Sequence, residues 1–175
     1  VDKNCTIEAD PTVAAIAKQY NDQVRPLMEK VVGSLKDDLS ISNAEGQYDS
    51  SLGNAICDAM RIESGADVAA YNWGGIRLEN ISAGEVKLDT LFRLLPFDDP
   101  VVVIKIKGKD LLDLFTQSIR MTETGPLQAS GVEMVADGNT KEVISLKVNG
   151  KDVDPEAEYT VATTEFLSKG GDNYS

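Results

Sequence analysis

Apolar residues recur at three- and four-residue steps at Val13, Ile16, Ala17, Tyr20, Val24, Leu27, Met28 and Val31, the spacing of one helical face. Asp10 followed by Pro11 supplies a capping carboxylate and a first-turn proline, so the helix starts there. Pro26 lies inside the stripe, where its missing N–H kinks the helix or makes it restart, and Gly33 ends it. A weaker, strand-like stretch runs from Leu35 to Ile41. Ser51 is placed to cap a second helix whose Leu52, Ala55, Ile56, Ala59 and Met60 face inward, and Gly65 closes it. Residues 66–71 then read as a short buried strand that opens directly into a glycine-containing loop.

The second half alternates in the same way. Asp89 is positioned to cap a short helix through Leu91, Leu94 and Leu95, stopped by Pro96. Val101 to Lys107 is the clearest strand, and Gly108 breaks it. A helix over 109–119 carries Leu111, Leu112, Leu114, Phe115 and Ile119. Further strands are expected at 127–136, 143–148 and 158–164, with Asn149-Gly150 as a turn between apolar stretches. These elements define an α+β domain with a mixed β-sheet and packed helices. It runs from residue 10 to residue 175, behind a polar linker at 1–9. The end, Gly170-Gly171-Asp172-Asn173-Tyr174-Ser175, reads as a loop cut before its next element.

Composition narrows the functions open to such a domain. At 175 residues the chain is long enough to bury a core, and 42% hydrophobic with 26% charged residues is ordinary for a globular fold. A net charge of −12 argues against binding a nucleic acid polymer or an anionic membrane, both of which want a basic face. No stretch approaches the roughly 20 apolar residues of a membrane span. There is no histidine and no clustered set of metal ligands, so no catalytic and no metal-binding residue is assigned within this chain, and no cofactor. Cys57 falls in an apolar helical pattern as a small buried side chain, whereas Cys5 lies in the linker; whether they pair is not legible.

Three segments carry the candidate chemistry: Asn72-Trp73-Gly74-Gly75-Ile76-Arg77, Leu95-Pro96-Phe97-Asp98-Asp99 and Phe166-Leu167-Ser168-Lys169-Gly170-Gly171-Asp172. Gly74-Gly75 permits positive φ and lets a ligand approach the backbone. Asn72 offers both donor and acceptor groups, and Arg77 a planar fork matched to phosphate oxygens. Phe97 sits on a corner stiffened by Pro96 and is either a core side chain or a pocket wall; Phe166 has the same two readings. Asp172, after Gly170-Gly171, is either a solvated turn aspartate or an acceptor for vicinal ribose hydroxyls. The set suits a flat base bearing a sugar and an anionic tail.

Five segments occur in one order: Leu52 to Met60 with its Leu-Gly-Asn start, Asn72 to Arg77, Leu94-Leu95-Pro96-Phe97, Ile106 to Leu111, and Tyr159 to Thr163 running on to Gly171-Asp172. That series resembles the C-terminal domain of the 5′-nucleotidase family, whose bacterial members include UDP-sugar hydrolases and cyclic-nucleotide phosphodiesterases. The resemblance spans from about residue 8 to the end. It implies a nucleoside or nucleotide ligand, with Phe97 and Phe166 sandwiching the base, Asp172 on the ribose, Asn72 on the nucleoside and Arg77 towards phosphate or ribose. It also implies a partner in the same protein: an N-terminal metallophosphoesterase domain holding two divalent metal ions such as zinc, manganese or magnesium, which performs the hydrolysis. An extracytoplasmic location (periplasmic, secreted or cell-surface) follows from the same resemblance. Two departures stand out. The stretch Gly46 to Ser51 lacks the basic residue often found before the Leu-Gly-Asn motif, and Asp98-Asp99 replaces Gly or Asn. Arg61 is a possible substitute for the missing charge. Both departures keep open a non-catalytic nucleoside-binding or adhesion module.

Overall fold

The computed structural model describes residues 10–42, 48–121 and 125–174. Helix α1, Pro11–Met28, begins where expected, with the Asp10 carboxylate accepting from the amides of Thr12 and Val13. Pro26 neither splits nor restarts it, because it falls in the final turn, and the helix stops at Met28 rather than at Gly33. Val31 and Gly33 instead belong to strand β1, Val31–Leu35, so the long stripe merges a helix with the strand after it. The Leu35–Ile41 stretch accordingly splits, leaving only the short β2, Leu39–Ser40. None of the apolar side chains on α1 is buried.

Helix α2, Ser51–Ser64, is capped by Ser50 rather than Ser51: the Ser50 hydroxyl accepts from the Gly53 amide at 3.0 Å. Its buried face is Leu52, Gly53, Ile56, Cys57 and Met60, while Ala59 is exposed, so the face is turned from the one read off the sequence. Gly53 has a physical reason to be there. The Gln128 side chain crosses α2 at that point, and a Cβ on Gly53 would lie 2.1 Å from Gln128 Oε1.

The sheet that organises the molecule has four strands in the order β6-β11-β3-β7. They are β3, Val68–Tyr71; β6, Val101–Lys107; β7, Gln128–Ser130; and β11, Glu158–Thr164. Only β3 and β11 run parallel; β6 and β7 are antiparallel to their neighbours. All four β3 residues are buried, as expected for a central strand covered on both faces. Ala69 and Tyr71 face a core with Leu52, Ile56 and Cys57 of α2. Val68 and Ala70 face a second core built on Leu111 and Phe115 of α4, Gly108–Arg120. Gly108 thus starts α4 rather than simply ending β6, and a Cβ there would lie 2.0 Å from the Asp154 carbonyl oxygen.

The 127–136 stretch is two strands, not one. Gly131, at φ 82°, turns the chain from β7 into β8, Val132–Ala136, which joins β9, Val143–Val148, and β10, Lys151–Asp152, in a separate antiparallel sheet. Two small two-stranded pairings complete the structure: β1 with β5, Gly84–Lys87, and β2 with β4, Asn80–Ile81. Helix α3, Leu88–Leu94, places Asp89 in its first turn, where it makes no capping hydrogen bond and instead faces Arg93 at 3.7 Å. The linker at 1–9, with Cys5, lies outside the described residues; Cys57 is a free, buried thiol.

Candidate functional site

Strand direction decides where the three candidate loops meet. In the antiparallel β6–β11 ladder Val101 pairs with Thr164, so the entry to β6 and the exit from β11 share one end of the sheet. Because β3 is parallel to β11, its exit lies at that end too. The loops at 72–77, 95–100 and 165–172 therefore converge although up to 100 residues separate their polar contacts.

They enclose a cavity of about 550 Å³. Seven of the eight residues named from the sequence line it: Asn72, Gly74, Gly75, Arg77, Phe97, Phe166 and Asp172. The eighth, Gly171, stands behind one wall, where a Cβ would come within 2.4 Å of the Phe166 ring. Phe97 is 57% exposed and Phe166 48% exposed, so neither ring is a core side chain.

Each polar group is held in place. Asn72 Nδ2 donates to Asp172 Oδ2 at 2.7 Å, coupling the first loop to the third. Asp172 sits at φ 52°, a left-handed conformation uncommon outside glycine and tolerated best by Asn and Asp. Arg77 Nη1 donates to the Gly74 carbonyl at 3.2 Å, and the guanidinium lies 5.9 Å from the Phe97 ring centroid. The glycine pair works differently from the expectation of positive φ. Neither residue has it; the constraint is close approach, and only at Gly75, where a Cβ would lie 2.6 Å from Tyr71 Cε1. Gly74 has room, with its nearest neighbour at 3.8 Å.

Five lining residues were not named as site residues from the sequence: Tyr71, Asp98, Asp99, Glu165 and Lys169. Asp99 Oδ1 accepts from the Phe166 amide at 3.0 Å, and the Glu165 amide donates to the Pro100 carbonyl at 2.9 Å. The loop of one phenylalanine thus anchors the backbone of the other. No local pattern signals a bond across 67 residues. Lys169 pairs with Glu165 at 2.8 Å through an i,i+4 step, a spacing visible in the sequence. Burial pushes the Tyr71 phenol up to about 12, with the Asp99 charge adding to the effect, so it is a neutral hydroxyl at the cavity wall. Arg61 is not among these residues. It lines a different cavity, on the β7 side of α2. Among the described residues, no three His, Cys, Asp or Glu side chains converge on a metal-sized site.

The chain belongs to the 5′-nucleotidase C-terminal domain family, whose sequence model matches residues 31–175. Among individual relatives, it is 32% identical over 167 residues to endonuclease YhcR of Bacillus subtilis, an alignment covering 93% of this chain and 13% of that protein. It is 28% identical over 171 residues to protein UshA of Yersinia enterocolitica, covering 96% of this chain and 30% of the relative. The crystal structure of a 5′-nucleotidase precursor from Thermus thermophilus superposes with a TM-score of 0.78 at 29% identity, over 93% of this chain and 35% of that one. The chain thus spans about a third or less of the length of these relatives.

Proposed function

We propose that this domain is the nucleotide-holding part of a metal-dependent 5′-nucleotidase-type phosphoester hydrolase. The base lies between Phe97 and Phe166, Asp172 accepts from the ribose hydroxyls with Asn72 fixing its carboxylate, and Arg77 meets the phosphate or the adjoining ribose. The observation that carries this reading is the placement of two half-exposed phenylalanines, from loops far apart in sequence, on one cavity with those three polar residues. Hydrolysis belongs to a dimetal N-terminal domain of the same protein, to which this chain delivers the phosphate ester. An extracytoplasmic location accords with a 28%-identical relative, the snake venom 5′-nucleotidase of Naja atra.

Stacking contributes about 1–3 kcal/mol per base contact, so Phe97→Ala with Phe166→Ala should weaken adenosine binding by at least about thirtyfold. Calorimetry or amide-shift titration of the chain measures this, and an unchanged isotherm would sink the sandwich. With Mn²⁺, Zn²⁺ or Mg²⁺ added, the chain alone should release no phosphate from AMP.

One observation favours a second reading, a nucleoside-binding module without catalysis. Among the described residues, Asp98, Asp99, Glu165 and Asp172 line the cavity against Arg77 and Lys169 alone, and Lys169 is already paired with Glu165. Adenosine binding more tightly than AMP to the full-length protein, together with no turnover, would select the module.

A further inference from the structure

A second cavity, of about 490 Å³, opens on the β7 side of α2 and shares no lining residue with the first. Its lining is mixed, with an apolar part made by Phe115, Leu127, Ala129, Val132 and Met134, of which Phe115 and Leu127 are buried. Arg61 stands in its wall and is fixed at two points. Its Nε donates to Ser130 Oγ at 2.8 Å, and that hydroxyl, only 5% exposed, in turn donates to the Asp58 carboxylate. Its stem runs over Gly131: a Cβ at that position would lie 2.8 Å from Arg61 Cδ. The two terminal NH₂ groups have no hydrogen-bond partner among the described residues, and Arg61 forms no ion pair with a described carboxylate.

A guanidinium held by its stem and Nε, with both terminal amines left over, is a ready-made fork for a carboxylate. Asp49 and Asp58 on the same cavity oppose a doubly charged anion more than a singly charged one. The apolar part of the lining favours a hydrocarbon or aromatic body. We propose that this cavity is a second ligand site, taking a small monocarboxylate with a flat apolar body: the carboxylate on the Arg61 fork, the body over Leu127 and Met134. It is independent of the nucleotide reading, since neither cavity uses the other's residues.

The test is an amide-shift titration of the full chain with sodium benzoate, run in parallel with benzyl alcohol and inorganic phosphate. Benzoate should give saturable shifts at Ser130, Gly131 and Met134, with both other probes at least about tenfold weaker. Arg61→Gln should weaken benzoate at least about tenfold. Asp58→Asn keeps an acceptor for the Ser130 hydroxyl but removes a charge, and should strengthen benzoate severalfold. Benzoate and benzyl alcohol binding alike, no saturable benzoate shift, or an Asp58→Asn affinity that is unchanged or lower would each overturn the site. Should Arg61→Gln fail to fold, the probe series and Asp58→Asn decide by the same criteria.

Discussion

Adjacent glycines in one loop do different work, and a single methyl group separates them. At Gly75 a Cβ would overlap the Tyr71 ring and crowd Asn72 Oδ1 at 2.9 Å, displacing the side chain that holds Asp172. At Gly74 the same methyl would make only ordinary contacts, 3.8 Å from Asp172 Oδ2 and 3.9 Å from Asn72 Nδ2. Gly75→Ala is therefore expected to abolish nucleoside binding, and Gly74→Ala to stay within about threefold of the parent, as overpacking is costly only where atoms already touch. Isothermal titration with adenosine compares the two; equal losses would show that the loop responds to substitution as a whole. Cys57 gives a second expectation at this scale. Burial, with the neighbouring Asp58 charge, pushes its thiol up to about 12, and the thiolate is the reactive form. In a Cys5→Ser background the folded chain should leave Ellman's reagent nearly unreacted at pH 8, until denaturant exposes the sulfur. Prompt colour without denaturant would contradict that burial.

Among the elements, α2 shows how tertiary contact reverses a local rule. Gly→Ala in a helix interior ordinarily stabilises by about 1 kcal/mol. At Gly53 the new methyl would collide with Gln128, whose Oε1 accepts from the Ser50 amide at 2.9 Å and from its hydroxyl at 2.7 Å. Gly53→Ala should thus destabilise by about 2 kcal/mol or more, through overpacking and loss of a fully buried amide's partners. Urea unfolding measures it, and a raised midpoint would remove Gln128 from this role. Helix α1 gives the complementary case: Ile16 is 51% exposed, so Ile16→Gln should move the midpoint by no more than about 0.5 kcal/mol equivalent. The same contrast explains what was legible in the sequence. Periodicity located α2, α4, β6, β9 and β11 because each buries one face or one strand. It misplaced the end of α1, whose stripe continues into β1, and it fused β7 with β8, since one glycine in a positive-φ turn is invisible to an apolar pattern. Seven of the twelve described cavity residues were readable as ordered motifs, whereas the Asp99 bond to the Phe166 amide was not, because its partners meet only through strand pairing.

At the scale of the whole molecule, the one parallel pairing among the described residues, β3 with β11, is pinned at its start by Asp67. Thr160 donates to Asp67 Oδ2 from its hydroxyl at 2.7 Å and its amide at 2.9 Å, and these bonds hold the carboxyl below its ordinary value. The folded chain therefore keeps the ionised form more tightly than the unfolded chain does. That contribution is complete above about pH 4 and is lost as pH falls through the folded-state value. Urea midpoints taken from pH 6 down to pH 2 should show Asp67→Asn less stable than the parent at neutral pH, with the gap narrowing below about pH 4. A gap of constant width would assign the stabilisation to something other than ionisation.

The same strand pairings have a consequence for how readily such a protein can change its taste in ligands. Apart from Tyr71 at the end of β3, every described residue lining the first cavity is mounted on three short connections rooted at one rim, while Val68, Leu111 and Val161 of the second core line none of it. Exchanging 72–77, 95–100 and 165–172 as a matched trio, like a nib on a fixed shaft, is the economical route to a new specificity. Swapping any one of them alone would sever the Asn72–Asp172 or Asp99–Phe166 tie that registers it with its neighbours.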